Sequence, residues 1–474
     1  MRRTKIICTI GPASGSEDVL RRLAEAGMNV ARLNFSHGTR EEHGHRVDLI
    51  RRIEQDFGRP IAVLQDLPGP KLRTGRMAPG TVTLSSGEKF VFTTRDIPGD
   101  AGQVNLPYPE LVKQARPGQP VFVDDGRLEF YVESATDTDL ITRVVVGGQL
   151  GARKGVNMPG TKVSAPPVTE DDIEDLRFGL GKDVDWVAAS FVRSVSDLEA
   201  VRKVISDSGK PVRLIAKIEK SEAVQNIDSI IEASDGIMIA RGDLGVEMPL
   251  ERVPGVQKMI IKKCNQAGKP VVTATQMLDS MARNRRPTRA EATDVANAIL
   301  DGTDATMLSG ETAIGRFPVE SVEMMSKIAV EAESSLDYRH MLEEKARVPA
   351  NTVTDAIAQG SVEIAWDLAA AAIVTPTSSG ATARAVSKCR PVAPIVAAAT
   401  IPVTYRQLAL SWGVYPLLVA PSTNTDAMID EAVEGATRVG LVKPGDTVVL
   451  TAGVPAGVPG RTNLIKVHTV GEAL

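Results

Sequence analysis

Cysteine is scarce. The chain has three, Cys8, Cys264 and Cys389, in 474 residues, odd in number and with no CxxC pair. That excludes a disulfide framework and a cysteine-based metal site, and it fits a reducing, cytoplasmic compartment. Long apolar runs are also missing. No stretch approaches the roughly 20 residues of a membrane span. The basic N-terminus has too short an apolar segment before Gly11 and Pro12 for a secretory signal. Excess positive charge is absent too: 55 Lys and Arg against 59 Asp and Glu leave a net charge of −4. Neither nucleic acid nor a membrane is the expected partner. There is no Walker loop GxxxxGK[ST] and no protein-kinase signature set, so any nucleotide is held in another way. What the chain does have is length, enough for about three domains at roughly 100–200 residues each. Its 43% hydrophobic residues are enough for several cores.

Apolar, strand-like runs alternate with amphipathic helical patterns, the mark of a parallel sheet. Strands are expected at 5–10, 29–35 and 60–66. Helices are expected between them, at 16–26 with Ser16 as N-cap and Gly27 as stop, and around 41–57 before Gly58. From about 69 to 164 the pattern changes to short alternating stretches (81–84, 89–93, 121–123, 129–133, 140–146) split by Gly, Pro and Asp. That is a β-rich insertion. The βα pattern resumes at Thr169, with strands at 186–191, 213–219, 236–240, 270–275 and 305–308. Together with the first three these are eight strands, the number that closes a (β/α)8 barrel. After a linker near 337–351, a helix near 355–368 and strands at 372–375, 395–398, 415–419 and 447–452 suggest a smaller open α/β domain. The expected division is a (β/α)8 TIM barrel from 1–68 and 165–340, an inserted β-barrel lid at 69–164, and a C-terminal α/β regulatory domain at 341–474.

Several strands carry polar groups where apolar ones are expected. Side chains at i and i+2 share a face of a strand. In 31–36, Arg32, Asn34 and Ser36 share one face; Ala31, Leu33 and Phe35 share the other. In 214–219, Lys217 and Glu219 point one way, while Leu214, Ala216 and Ile218 point toward packing helices. Asp66 ends the third strand and Arg241 and Asp243 follow the sixth. Thr273 and Thr275 share a face of the seventh, and Ser309 follows the eighth. Polar groups thus gather at the C-terminal ends of at least five strands, the rim that holds the active site in this architecture. A purely structural barrel would fill most such positions with Val, Ile or Leu, because an unpaired buried polar group costs about 2–7 kcal/mol.

A single such strand has a simple explanation in an internal salt bridge, for example Lys217 with Glu219; five converging on one rim do not. Glu219 and Asp243, on neighbouring strands, repel unless a proton or a cation lies between them. All-oxygen ligation with open positions suits Mg2+ or Mn2+. Arg32 can grip a phosphate or a carboxylate bidentately, and Lys217 can neutralise charge at a transferring group. The set points to chemistry on a phosphorylated, anionic substrate.

The stretches TKIICTIGPAS (4–14), MNVARLNFSHG (28–38), GPKLRTG (69–75), KGVNMPG (154–160), IAKIEK (215–220), IARGDLGVE (239–247), TATQMLDSM (273–281), the run at 286–320 and VVLTAGVP (448–455) follow in this order nearly end to end. With them the chain closely resembles the pyruvate kinases. The resemblance implies transfer of the phosphoryl group of phosphoenolpyruvate to ADP, giving ATP and pyruvate, with Mg2+ or Mn2+ as cofactor. By motif, Lys217 resembles the lysine that stabilises the transferring phosphoryl group and the enolate. Glu219 and Asp243 resemble the Mg2+ ligands, and Arg32 the phosphate-gripping arginine. Gly242, Asp243 and Thr275 resemble substrate-contacting positions. Thr275 and Ser309 would belong to the polar network that helps water protonate the enol. Arg73 and Lys154 resemble nucleotide-phosphate contacts at the root of the insertion, which would then close over the rim as a lid. Simpler readings compete for some of these. Ser309 is then a helix cap, Lys154 a solvated hinge lysine, and Glu247 and Glu311 partners of neighbouring Arg or Lys side chains.

One stretch departs from the family pattern. Many members read Asp-Thr-Lys-Gly-Pro-Glu after the third strand, and this chain reads Asp66-Leu67-Pro68-Gly69-Pro70-Lys71. The familiar form holds K+ at positions matching Asn34, Ser36, Asp66 and Leu67. Leu67 offers only its carbonyl, and Lys71, in place of a glutamate, brings a positive charge of its own. The expectation is an enzyme that does not require K+. In the C-terminal domain, Thr377-Ser378-Ser379-Gly380-Ala381-Thr382 follows a strand and opens a helix, a ready anion site. The matching loop in the family binds phosphorylated effectors, which implies activation by a sugar phosphate or a nucleoside monophosphate. The resemblance also implies a homotetramer.

Overall fold

The computed structural model describes residues 1–70, 72–161, 168–346, 349–422, 424–454 and 462–472. Eight parallel strands close into a barrel in chain order: Lys5–Thr9, Val30–Asn34, Ala62–Asp66, Trp186–Ala189, Arg213–Ile218, Gly236–Ala240, Val271–Ala274 and Ala305–Leu308. The last pairs back on the first, Lys5 opposite Ala305. Helices between them start and stop where local chemistry dictates. The Ser16 hydroxyl accepts from the Val19 N–H to open Glu17–Ala26, and Gly27 ends it at a positive φ. Thr39 and Glu42 form a capping box for Arg40–Phe57. Leu20 and Leu23 of the first helix and Leu33 and Leu214 of the strands are fully buried between helices and barrel. Each such leucine contributes about 1.5–3 kcal/mol. The opposite strand faces fill the interior with Ile7, Leu64, Trp186, Met238 and Met307.

The insertion forms a six-stranded sheet ordered Val156–Asn157, Pro120–Val123, Leu128–Ala135, Asp139–Val146, Lys89–Thr93, Gln103–Asn105. A separate pair joins Thr81–Leu84 to Gly148–Gly151. Phe90, Phe92 and Phe130 are its buried centre, packed edge-on or tilted. Arg73 and Gly155 bridge in antiparallel fashion at its root. The strands at 103–105, 148–151 and 156–157 are too short to show an alternating pattern and were not anticipated.

The C-terminal sheet runs Val414–Leu418, Ile395–Ala399, Ala372–Thr377, Thr447–Ala452, Leu464–Thr469, with the last strand antiparallel. The expected linker near 337–351 contains the helix Tyr338–Ala346. Its charged surface hid it, yet Arg339–Glu343 and His340–Glu344 pair at i,i+4 and Leu342 packs against the domain core. No helix among the described residues is long and apolar enough to cross a membrane.

The C-terminal domain docks on the N-terminal ends of the barrel strands. Ala409 and Leu410 join the interior cluster. Arg406 pairs with Asp185 at 2.7 Å and Arg390 with Asp304 at 2.9 Å. At this junction Glu54 is buried beside Arg51, which it contacts at 3.1 Å. Burial pushes the Glu54 carboxyl up to about 7, although Arg51 and Arg406 oppose it. An acid raised in the folded state gives stability that is full below the ordinary carboxylate range and lost as pH rises toward 7. Glu54→Gln, which cannot ionise, is therefore expected to be more stable than the parent above pH 7, by about 1–3 kcal/mol, and equal to it near pH 5. Thermal melts at the two pH values test this. A variant that melts lower at pH 8 would mean that the Arg51 pair outweighs burial.

Candidate active site at the barrel mouth

The strand Arg213–Ile218 alternates as expected: Leu214, Ala216 and Ile218 pack outward, and Lys217 is turned to the mouth. Its ammonium lies 2.9 Å from Glu219 Oε1 and 3.1 Å from Asp66 Oδ1, and donates to Ser190 Oγ at 2.6 Å. The other Asp66 oxygen accepts from Arg32 Nε at 2.6 Å, and Arg32 Nη1 donates to the Thr9 hydroxyl at 2.9 Å. Three strands, Val30–Asn34, Ala62–Asp66 and Arg213–Ile218 with the residue that follows it, thus deliver two cations and two carboxylates to one buried cluster. Burial alone would lower the Lys217 pKa, but Asp66 and Glu219 more than offset it and hold it above the usual lysine value. Burial likewise works on Asp66 in the upward direction, and Lys217 and Arg32 win, keeping it below the usual carboxylate range. Glu219 goes the other way. Burial raises it, Lys217 opposes, and the charge of nearby Asp243 adds to the rise.

Glu219 therefore sits where a further positive charge is wanted. Its Oε2 accepts the Phe191 N–H at 2.8 Å. No cluster of three or more His, Cys, Asp or Glu able to hold a metal occurs among the described residues. Two carboxylates with the other positions left to water and substrate oxygens is the donor chemistry of Mg2+ rather than of a closed zinc site. The residues present fit such a cation.

The seventh strand overturns one expectation. Thr273 does not share the mouth-facing side with Thr275. Val272 and Ala274 face the interior, and the Thr273 hydroxyl donates to the Thr303 hydroxyl at 3.0 Å. The strand ends at Ala274, and Thr275 and Gln276 have φ of 68° and 54°. That left-handed step, not strand alternation, aims Thr275 at the mouth, where its hydroxyl accepts the Gly242 N–H at 2.7 Å. Arg241 holds the step by donating to the Thr275 carbonyl at 2.9 Å while paired with Asp294. Ser309 makes no side-chain cap to the helix Gly310–Ala313; its hydroxyl is buried with no hydrogen-bond partner among the described residues. Among the described residues Glu311 holds no Arg or Lys. It accepts the N–H groups of Leu278 at 3.0 Å and Ser309 at 2.7 Å. Glu247 does hold Lys220, at 2.5 Å.

Arg73 and Lys154 lie together at the root of the insertion. The Arg73 guanidinium donates to the Arg153 carbonyl at 3.2 Å, and Lys154 pairs with Asp124 at 2.9 Å. Around Asp66, the Asn34 side chain accepts the Ser36 N–H at 3.2 Å, Ser36 is exposed, and the carbonyl of buried Leu67 accepts from Ser190 at 2.7 Å. Lys71 lies outside the described residues. In the C-terminal loop, Thr377 Oγ1 accepts the Gly380 N–H at 2.9 Å, Ser379 Oγ accepts the Ala381 N–H at 3.4 Å, and Thr382 Oγ1 meets Thr462 Oγ1 at 2.8 Å. The Ser378 carbonyl accepts from Thr404 at 2.8 Å. Arg384 and barrel Arg213 both donate to the Ser379 carbonyl, and burial lowers Arg384 to about 9.

Ser190 is a site residue that the polar pattern above does not include, although it continues the inward face of Trp186 and Ala188. Thr9 likewise follows Ile7 by two. Both were there to be found by alternation. Arg241 as the support of Thr275 depends on a turn that no periodicity encodes.

A family model described as "Pyruvate kinase, barrel domain" matches residues 1–322, and a second, "Pyruvate kinase, alpha/beta domain", matches 355–468. A pyruvate kinase of Geobacillus stearothermophilus is 51% identical over 476 residues, covering 100% of this chain and 81% of the relative. One from Clostridium acetobutylicum is 47% identical over 472 residues, covering 99% of this chain and 100% of the relative. One from Staphylococcus aureus is 45% identical over 476 residues, with 100% and 81% covered.

Proposed function

The chain belongs to the pyruvate kinase family and transfers the phosphoryl group of phosphoenolpyruvate to ADP, and we propose that the cluster around Lys217 performs this reaction. The observation that carries the reading is Lys217 held between Asp66 and Glu219, beside Arg32, with Asp243 close enough to raise Glu219. Members of the family are in general Mg2+-dependent, and Glu219 and Asp243 are the carboxylates that would hold the ion. Bound there, it would neutralise charge on phosphoryl and enolate oxygens.

The protein's own groups do the rest. Arg32, fixed through Nε by Asp66, orients the phosphate of the substrate. The Lys217 ammonium stays protonated throughout the working pH range. It faces the charge that builds as the bond from phosphorus to the enol oxygen breaks and one to an ADP oxygen forms. Gly242 N–H and Thr275 mark the carboxylate end of the substrate. Thr275 and the buried Ser309 hydroxyl order the water that delivers a proton to the methylene carbon of the enolate, giving pyruvate.

The domain reading of 1–68 with 165–340, 69–164 and 341–474 goes with this. The insertion closes as a lid that brings Arg73 and Lys154 to the nucleotide phosphates. The enzyme works without K+, because Leu67 has no hydroxyl, its carbonyl is already bonded, and Lys71 supplies a charge. The loop Thr377–Thr382, backed by Arg384 and Arg213, takes a phosphorylated activator. The protein acts in the cytoplasm as a homotetramer; a monomer in sedimentation would contradict that last point.

One coupled assay tests the core. Phosphoenolpyruvate plus ADP should give pyruvate only with Mg2+ or Mn2+, and omitting K+ should leave most of the activity. Activity that is negligible without K+ and rises many-fold on adding it overturns the Lys71 reading. Adding sugar phosphates and nucleoside monophosphates should shift the substrate curve; a curve unmoved by all of them overturns the effector reading.

A further inference from the structure

We propose that Glu247 is a positioning residue that ties the inserted domain to the barrel-mouth carboxylates, so that nucleotide on the domain and a divalent cation at the mouth favour each other's binding. Glu247 ends the helix Arg241–Glu247, which carries Asp243 in its first turn, and it is buried. Its Oε1 accepts from two sides: Asn157 Nδ2 at 2.9 Å and Lys220 Nζ at 2.5 Å. Asn157 lies on the strand Val156–Asn157, by which the insertion returns to the barrel. Lys220 follows Glu219, and its ammonium lies 5.8 Å from the Phe191 ring centre. Phe191 gives its N–H to Glu219 and holds a φ of 54°, a left-handed conformation rare for an aromatic residue. The same ring packs on Gly69, where the chain leaves for the insertion; a Cβ there would stand 2.9 Å from it.

Both crossings between barrel and insertion thus meet one network whose ends are Glu219 and Asp243. A third contact agrees: a Cβ on Gly126, in a turn of the insertion, would lie 3.8 Å from Val246 on the Asp243 helix. A domain movement that breaks the Asn157 bond leaves Glu247 to Lys220 alone and shifts the anchorage of both carboxylates. Coupling of this kind is reciprocal.

The inference rests on the reading of Glu219 and Asp243 as the cation's carboxylates. Asn157→Ala is the cleaner variant, since it keeps the Glu247–Lys220 pair and orphans no buried charge. Two readouts on the full-length protein separate the claims: Mn2+ binding by electron paramagnetic resonance, and amide exchange at 72–75 and 154–158 with and without Mn2+. In the parent, Mn2+ should slow exchange in both segments about tenfold. Asn157→Ala should bind Mn2+ as the parent does, lose the slowing, and raise the KM for ADP more than it lowers kcat. Slowing that persists in the variant, or is absent from the parent, overturns the proposal. Should Asn157→Ala not fold, Asn157→Ser, too short to reach Glu247, is read the same way. Glu219→Gln that binds Mn2+ as tightly as the parent would sink the cation reading itself, a result separate from either outcome at Asn157.

Discussion

Lys217→Met lowers turnover by about 10³-fold or more, because the side chain faces charge that appears only as the phosphoryl group transfers. Methionine preserves the length and the apolar stem, so the barrel interior keeps its packing. The ammonium is lost, and with it the cation that Glu219 Oε1 and Asp66 Oδ1 share. Asp66 then keeps Arg32, while Glu219 keeps the Phe191 N–H and no cation of the cluster. Breaking a buried ion pair from one side costs about 3–5 kcal/mol, so the variant is also less stable.

The two losses have different pH signatures. In the parent, Asp66 is held below the usual carboxylate range, so its contribution is present above that range and is lost as pH falls. Without Lys217 the Glu219 carboxyl rises further and Asp66 loses one of the two cations that hold it down. The fall in stability with rising pH that Glu219 already gives the parent therefore becomes steeper in the variant. Melting at pH 5 and pH 8 tests this alongside single-turnover kinetics. A variant that turns over like the parent would remove Lys217 from the mechanism, and one that melts alike at both pH values would show that the carboxylates are paired elsewhere.

Where each strand of the barrel carries an unbroken period of two, the inward and outward faces can be read directly, and Arg32, Lys217 and Asp66 lie as alternation places them. The eight strands and the first two helices were legible for the same reason, with caps at Ser16 and Thr39 marking the starts. Alternation fails where the chain stops being a strand. Thr275 reaches the mouth through two left-handed residues, and the parity counted from Thr273 is then wrong. Glu311 looked like a partner for a cation, but a buried carboxylate can be satisfied by backbone N–H groups, which leave no trace in the side-chain pattern. Leu464–Thr469 shows half-exposed positions on an edge and lacks the apolar run that marks the inner strands of its sheet.

Glu219→Gln separates stability from activity in the opposite direction to Lys217→Met. Burial and the Asp243 charge raise the Glu219 carboxyl even with Lys217 beside it, so the folded protein without a cation resists the ionised form. By the sign of that shift, Glu219 gives stability that is full below the ordinary carboxylate range and lost as pH rises. Glutamine escapes the loss; its single oxygen keeps the Phe191 N–H bond and its NH2 then faces Lys217, so the effect is read as a change with pH: the variant's melting temperature relative to that of the cation-free parent should rise from pH 5 to pH 8. Activity moves the other way. Loss of a partner that merely supports a metal ligand costs about 10–100-fold, and loss of a ligand costs more. The Mg2+ needed for half-maximal rate should therefore rise beyond that range as turnover collapses. Added Mg2+ should raise the parent's melting temperature and leave that of the variant nearly unchanged. A residue that weakens the resting fold while being required for turnover is there for the chemistry. If Glu219→Gln lowered stability at pH 8 and left the Mg2+ requirement alone, Glu219 would be a structural partner of Lys217 and the cation would have to sit elsewhere.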